Sequence, residues 1–295
     1  MNEIKFAFFG TPYFAEVVLD KLKYAGFLPS VVITTPDKPK DRGLALAIPE
    51  TKKWARERNI LVFQPVKLDS EFISKLKEEK YDLFIVASYG KIIPKEIIDM
   101  PKYGTLNVHP SLLPKLRGAS PIEGAILSGE KTGVTIMLID EEMDHGPIIA
   151  QKELDISNSE ILSRNELEEK LAKMGGEILA DTIPKWIAKE LNAKEQEHKK
   201  ATYTKKIKKE DGLIDINESA EKNLRKIRAY DGWPGAYFFI NHNTRSVRVL
   251  IKNAEIKEGK LDILRVVPEG KKEMSWDDFA RGYQYYLGNS IKSSG

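Results

Sequence analysis

The opening 88 residues alternate short, uninterrupted apolar runs with amphipathic stretches, and this rhythm constrains the fold more than any other feature of the chain. Apolar or β-rich runs at Ile4–Phe9, Pro29–Thr35, Leu61–Phe63 and Leu83–Ser88 are separated by helical patterns at Phe14–Tyr24, Thr51–Arg58 and Ser70–Glu79. Strand, helix, strand in succession is the βαβ unit of a parallel sheet. A strand with one face in water alternates polar and apolar side chains. These runs do not alternate, so both faces are expected to be covered, as in a parallel sheet between two layers of helices.

After the first run the sequence reads Gly10-Thr11-Pro12-Tyr13-Phe14-Ala15, without the G-x-G-x-x-G spacing that a dinucleotide pyrophosphate requires. A nicotinamide or flavin cofactor is therefore not expected. The proline-rich stretch Pro36–Pro49 reads as a long loop, either functional or a plain connector. A further strand is expected at Gly104–His109, where Leu106 and Val108 alternate with Asn107 and His109, so period two puts both polar side chains on one face. Pro110 ends it. The carboxyl end of a parallel strand opens into the crevice where α/β proteins hold ligands.

Asp144-His145-Gly146 follows later in the chain. Asn, His and Asp converging on one crevice suit transfer of a carbonyl group to an amine. That reaction passes through a tetrahedral adduct with a negative oxygen and needs donors for the oxygen and a route for the amine proton. Asn107 offers an amide donor. His109 offers a donor when protonated and a base when neutral. Asp144 either takes the proton through a water or holds His109 in place. An attacking α-amine, with a pKa of about 7.7–8.0, is already substantially neutral, so no covalent intermediate is needed. The same residue types also serve plainer ends, since Asn and Asp fill turns and a strand-end His often packs. The chain has no cysteine, which excludes disulfides, thiolate metal sites and a thiol nucleophile. No x-spaced His or carboxylate pair supports a zinc triad, and no metal is expected.

Leu162–Leu191 has one apolar helical face. The lysine-rich stretches at 194–200 and 205–212 read as a linker, and Ser219–Ala229 as a short basic helix. Beyond Trp233-Pro234-Gly235, strand patterns at Ala236–Ile240, Ser246–Lys252, Ala254–Lys257 and Leu261–Val267 indicate a small barrel or sandwich. Net charge is +3, and residues 204–295 carry 18 Lys and Arg against 13 Asp and Glu. This modest basic excess suggests a polyanionic partner. The chain has neither a signal-peptide core nor an apolar run long enough to span a membrane, so a cytoplasmic protein with no membrane partner is expected.

Asn107-x-His109-Pro-Ser-Leu-Leu-Pro114, Arg117-Gly118-Ala119-Ser120-Pro121-Ile122, Thr132-Gly133-Val134-Thr135 and Asp144-x-Gly146 together resemble the formyltransferase family that uses 10-formyltetrahydrofolate. Within it, Phe8–Ala15, Asp41-Arg42-Gly43 and Ile227–Tyr237 are similar to the members that formylate methionyl-tRNA. The resemblance implies an α/β, Rossmann-like formyltransferase domain with a parallel sheet at 1–190, a basic linker at 191–204, and a small OB-like β-barrel at 205–295 that binds tRNA. It implies catalytic roles for Asn107, His109 and Asp144, and a folate site lined by Ser111, Leu112, Leu113, Pro114, Tyr89, Gly90 and Ile92. Lys38, Lys40 and Arg42 would meet the tRNA acceptor end, while Lys205, Lys206 and Lys208 would grip its body. The expected partners are 10-formyltetrahydrofolate and initiator methionyl-tRNA, with no metal or NAD, and the expected state is a monomer. An amino-sugar nucleotide acceptor is the first alternative, opposed by the barrel, Trp233-Pro234-Gly235 and the basic linker. A silent RNA-binding homologue is the second, opposed by the presence of all three catalytic side chains. His145 departs from the family pattern, which has a small residue or Thr there, and reads equally as a second imidazole beside Asp144 or as an exposed turn residue. The match fades after Val267, leaving Tyr283–Gly295 as an atypical tail.

Overall fold

The computed structural model describes residues 4–39, 46–155, 161–242 and 245–283. The chain divides into two compact units, one formed by Met1–Gly118, Lys131–Asp155 and Glu168–Tyr203, the other by Ala119–Glu130, Ile156–Leu167 and Thr204–Gly295.

The first unit is built on β1 (Phe6–Gly10), β2 (Val31–Ile33), β3 (Leu61–Phe63), β4 (Leu83–Ala87), β5 (Thr105–His109), β6 (Gly133–Leu138) and β7 (Ile148–Glu153). Among the described residues these form one sheet in the order β7-β6-β5-β4-β1-β2-β3. The five strands from β1 to β5 run parallel, and β6 and β7 extend the sheet antiparallel. Every residue of β1, β2 and β4 is buried, which is why their sequences read as unbroken apolar runs. The chain leaves β1 toward β2 and β3, then returns to the other side of β1 with β4. Strand order therefore reverses between β1 and β4, and a crevice is expected at their carboxyl ends, Gly10 and Ala87.

Helices α1 (Tyr13–Tyr24), α2 (Glu50–Arg56), α3 (Ser70–Glu79) and α4 (Lys95–Ile98) connect these strands. Asp69 caps α3 by accepting from Phe72 N at 3.2 Å. One face of the sheet packs Phe9, Phe84 and Tyr89 in edge-to-face pairs, with ring centroids 5.3 and 5.4 Å apart, under α3 residues Phe72, Ile73 and Leu76. Between β2 and α2, Lys38 pairs antiparallel with Ala47 and Pro39 with Leu46. The long helix α6 (Arg164–Ile187), expected from 162 to 191, ends just past Pro184.

The second unit contains α5 (Pro121–Ser128), α7 (Ala220–Ala229), the antiparallel strands β8 (Tyr237–His242), β9 (Arg245–Lys257), β10 (Lys260–Pro268) and β11 (Met274–Ser275), and α8 (Trp276–Tyr283). The strands expected of a small OB-like barrel appear among the described residues as a four-stranded sheet in the order β8-β9-β10-β11. Its core joins Leu224 and Ile227 of α7 to Phe238, Val249, Ile251, Val266, Trp276 and Phe279. Ser219 caps α7 by accepting from Lys222 N at 3.3 Å. Two strands expected at 246–252 and 254–257 are one strand, β9, and Asn253 sits where its register against β10 shifts. A bulge accommodates the polar residue that looked like a break.

Where the sequence suggests one division between 190 and 205, the chain passes between units at Gly118, Glu130, Asp155, Leu167 and Tyr203. The second unit claims α5 because α5 packs on α7, where Arg225 Nη1 donates to the Ile126 carbonyl at 3.1 Å. The expected linker 191–204 is also not free along its length. Lys194 exchanges two 2.8 Å backbone hydrogen bonds with Ile148, which fixes this stretch on the edge of the first unit.

Candidate active site

Strand β5 places the two polar side chains as period two requires. Asn107 is registered between Val86 of β4 and Met137 of β6, and His109 ends the strand. The intervening Val108 faces α6, where a Cβ on Gly175 would stand 2.7 Å from Val108 Cγ1. Asn107 and His109 therefore look away from α6. His109 is 4% exposed. Asn107 is half-buried, and its amide makes no hydrogen bond among the described residues.

The structure brings Asp144 to His109, with Oδ1 3.6 Å from Nδ1. The other ring nitrogen, Nε2, donates to the Leu116 carbonyl at 3.2 Å. Both imidazole nitrogens thus face acceptors. A neutral ring can donate to one of them, whereas an imidazolium donates to both. Asp144 Oδ2 accepts from Gly118 N at 2.7 Å, which fixes the carboxylate while its other oxygen faces the ring.

The Ser111–Pro114 segment is held by backbone bonds and by Thr135, a fully buried residue of β6. Thr135 Oγ1 donates to the Ser111 carbonyl at 2.7 Å and accepts from Leu113 N at 3.2 Å and Gln151 Nε2 at 2.8 Å. Ser111 Oγ donates to the Lys115 carbonyl, so its hydroxyl braces the loop. Ser111 and Leu113 are buried, while Leu112 and Pro114 are half-buried.

Beside β5, the chain leaves β4 through Ser88, Tyr89 and Gly90, with φ of +48° at Ser88 and +78° at Gly90. A Cβ at Gly90 would meet nothing within 4 Å, so open space lies there. Tyr89 is buried, its carbonyl accepts from Thr11 Oγ1 at 3.2 Å, and burial pushes its phenol up to about 12. Ile92 is 92% exposed, an apolar side chain left uncovered. Lys91 Nζ donates to the carbonyls of Pro65 and Val66 at 2.6 and 2.8 Å, and burial followed by the charge of Lys38 lowers its pKa.

Lys38 is exposed on the first unit, and Lys205, Lys206 and Lys208 are exposed on the second. Lys40 and Arg42 lie outside the described residues, as does the tail beyond Tyr283. His145 does not lean on the Asp144 carboxylate. Its Nδ1 is 2.6 Å from Asp140 Oδ2, and its ring stacks on His198 with centroids 4.0 Å apart.

Arg117, Thr135, Gln151 and Gln196, which hold the site's loops, have no role that composition or periodicity points to. Arg117 and Thr135 lie in the motifs Arg117–Ile122 and Thr132–Thr135, which are the one signal pointing to them. Gln196 lay among lysines and glutamates and gave none. Among the described residues no group of three or more His, Cys, Asp or Glu is placed to hold a metal ion, and no helix is long and apolar enough to cross a membrane.

Residues 4–183 match the formyl transferase family, and residues 206–260 match the formyl transferase C-terminal domain. The methionyl-tRNA formyltransferase of Thermodesulfovibrio yellowstonii is 42% identical across 93% of this chain and 94% of that one. Among solved structures, the methionyl-tRNA formyltransferase from Clostridium thermocellum aligns with a TM-score of 0.60 at 19% identity, covering 92% of this chain and 99% of that one. HypX from Aquifex aeolicus in complex with tetrahydrofolic acid aligns with a TM-score of 0.62 at 17% identity, covering 98% of this chain and 48% of that one. The two structural likenesses speak to fold. The sequence likeness runs almost end to end in both partners, over a chain whose β5 carries Asn107 and His109 with Asp144 3.6 Å from the His109 ring, and on that ground the chain belongs to the formyltransferase family, in its methionyl-tRNA formyltransferase branch.

Proposed function

We propose that the chain transfers the formyl group of 10-formyltetrahydrofolate to the α-amine of methionine esterified to initiator tRNA, giving N-formylmethionyl-tRNA and tetrahydrofolate. The observation that carries this reading is the near full-length likeness to a methionyl-tRNA formyltransferase. The folate would lie along 88–93 and 111–114, where the open space at Gly90 and the uncovered Ile92 suit a flat, partly apolar ring. When bound, it supplies the activated formyl carbon. Lys38 with Lys40 and Arg42, and Lys205 with Lys206 and Lys208, are the residues proposed to meet tRNA phosphates.

The chain's own work is orientation, charge and proton handling. As the amine nitrogen bonds to the formyl carbon, the formyl oxygen gains negative charge. Asn107, whose amide is unclaimed by described residues, is the donor for that oxygen. The amine must lose a proton and the departing nitrogen must gain one. The His109–Asp144 pair, with Nδ1 and Oδ1 3.6 Å apart, takes and returns it.

The direct test supplies the formyl donor with either charged initiator tRNA or an amino-sugar nucleotide and follows product by mass spectrometry. Formylated methionyl-tRNA is expected, and formylated sugar alone would overturn the proposal. In the same assay His109→Ala should lower kcat by about 10²–10⁴ and Asn107→Ala by about 10²–10³, with tRNA affinity unchanged. An active His109→Ala enzyme would remove His109 from the mechanism, and tRNA binding without turnover by the wild type would favour the silent homologue.

A further inference from the structure

Asp144 presents its carboxylate from a backbone conformation that a residue with a Cβ seldom adopts, with φ at +52°. Such a conformation persists where its surroundings over-determine it. Gln196 does this from the far side of the turn, its Nε2 donating to the Asp144 carbonyl at 2.9 Å and to the Gly146 carbonyl at 2.7 Å. One amide thus ties both ends of Asp144-His145-Gly146. Gln196 Oε1 accepts from Arg117 Nη2 at 2.7 Å and Nε at 3.2 Å, the two parallel prongs of the guanidinium fork. Arg117 is anchored further by His198 Nδ1, 3.0 Å from Nη2, and by Tyr203 Oη, 3.5 Å from Nη1. Arg117 and Gln196 are 2% and 5% exposed, so water does not replace these bonds. The residue after Arg117 is Gly118, whose N–H holds the carboxylate itself.

We infer that Arg117 and Gln196 are positioning residues for formyl transfer, setting the Asp144 carboxylate against His109 by pinning the left-handed turn from which it projects. The inference rests on Asp144 belonging to the catalytic pair. Chemistry restricts the position: a glutamine amide accepts from the fork at one atom and donates twice from the other. Glutamate at 196 would keep the fork but turn an acceptor toward two carbonyl oxygens. Methionine would fill the volume and make none of the four bonds. Lysine at 117 would keep the buried charge and lose the paired geometry.

The test measures kcat, and KM for donor and for methionyl-tRNA, in Gln196→Met, Gln196→Glu and Arg117→Lys, each alone and combined with Asp144→Asn, with circular dichroism melts to register folding. Each single variant is expected to lower kcat by about 10–100-fold, as misplacement by an ångström does, while both KM values stay within about two-fold. In the Asp144→Asn background the same substitutions should change kcat by less than about two-fold, because the group they position is gone. Losses that multiply in full across the two backgrounds, or KM values that rise with kcat intact, would overturn the inference. If Gln196→Met fails to fold, Gln196→Glu and Arg117→Lys decide by the same comparison. An Asp144→Asn enzyme with undiminished kcat would overturn the catalytic reading of Asp144, and the positioning role with it. Unaltered kcat in the Gln196 and Arg117 variants beside a crippled Asp144→Asn would overturn the positioning role alone.

Discussion

A carboxylate that accepts from an ammonium and an amide ionises more readily than a free one, and Asp37 is so placed, with Lys52 Nζ at 2.6 and 2.8 Å and Gln64 Nε2 at 2.8 Å. The hydrogen bond from Lys52, followed by that from Gln64, holds the Asp37 carboxyl below the usual aspartate range. A group whose folded value is depressed stabilises the fold above its unfolded pKa, about 3.9 for Asp, and ceases to do so as pH falls through the folded value. Asp37→Asn should therefore lower the melting temperature at pH 7. The gap from wild type should persist to about pH 5 and narrow below about pH 4. Melts across that range check it, and a gap constant down to about pH 3 would contradict it. Asp37 adjoins Lys38, so the pair anchors one base of the loop proposed to meet tRNA. At this scale the sequence was legible where alternation or punctuation gives a side chain a direction. Leu106 and Val108 aimed Asn107 and His109, and Pro110 marked the strand end. It was illegible for Arg117 and Gln196, because hydropathy assigns charged and amide residues to water, and partners 50 to 86 positions away make their burial tolerable.

Among the elements, α6 sits so close to β5 that one methyl group should separate them. Alanine at an ordinary helix interior position gains about 1 kcal/mol over glycine. At Gly175 the new Cβ would stand 2.7 Å from Cγ1 of Val108, a buried β-branched side chain with no room to turn. Overpacking of this kind costs about 1–3 kcal/mol, so Gly175→Ala should be destabilised on balance. The strand that yields is the one carrying Asn107 and His109, so kcat should fall too. Denaturant midpoints and initial rates test both, and a stabilised, fully active variant would refute the tight contact. Element types were readable from the apolar runs of β1, β2 and β4, whose burial on both faces leaves no alternation to misread. Asn253 was not, because a polar residue interrupting a strand looks alike whether the chain turns or bulges, and only the pairing with β10 separates the two.

For the molecule as a whole, the βαβ rhythm announced a parallel sheet, but no local pattern reports that α5 joins a unit whose other members come much later. Ile122, Ala125 and Ile126 of α5 are buried, and α7 supplies part of their cover. A chain ending at Tyr203 would retain α5 and lose α7, and it should self-associate through that uncovered face while the full chain does not gain this tendency. Size-exclusion chromatography with a thermal melt tests this, and a monodisperse, cooperatively melting 1–203 fragment would contradict it. The same arrangement bears on synthesis. Ile126 and the arginine that binds its carbonyl are 99 residues apart. At about 5–20 residues per second, translation delivers the second partner some 5–20 s after the first. During that interval α5 has emerged from the ribosome with its apolar side unmatched, so the nascent chain carries a sticky segment that a holdase is suited to shield until the last third of the polypeptide arrives.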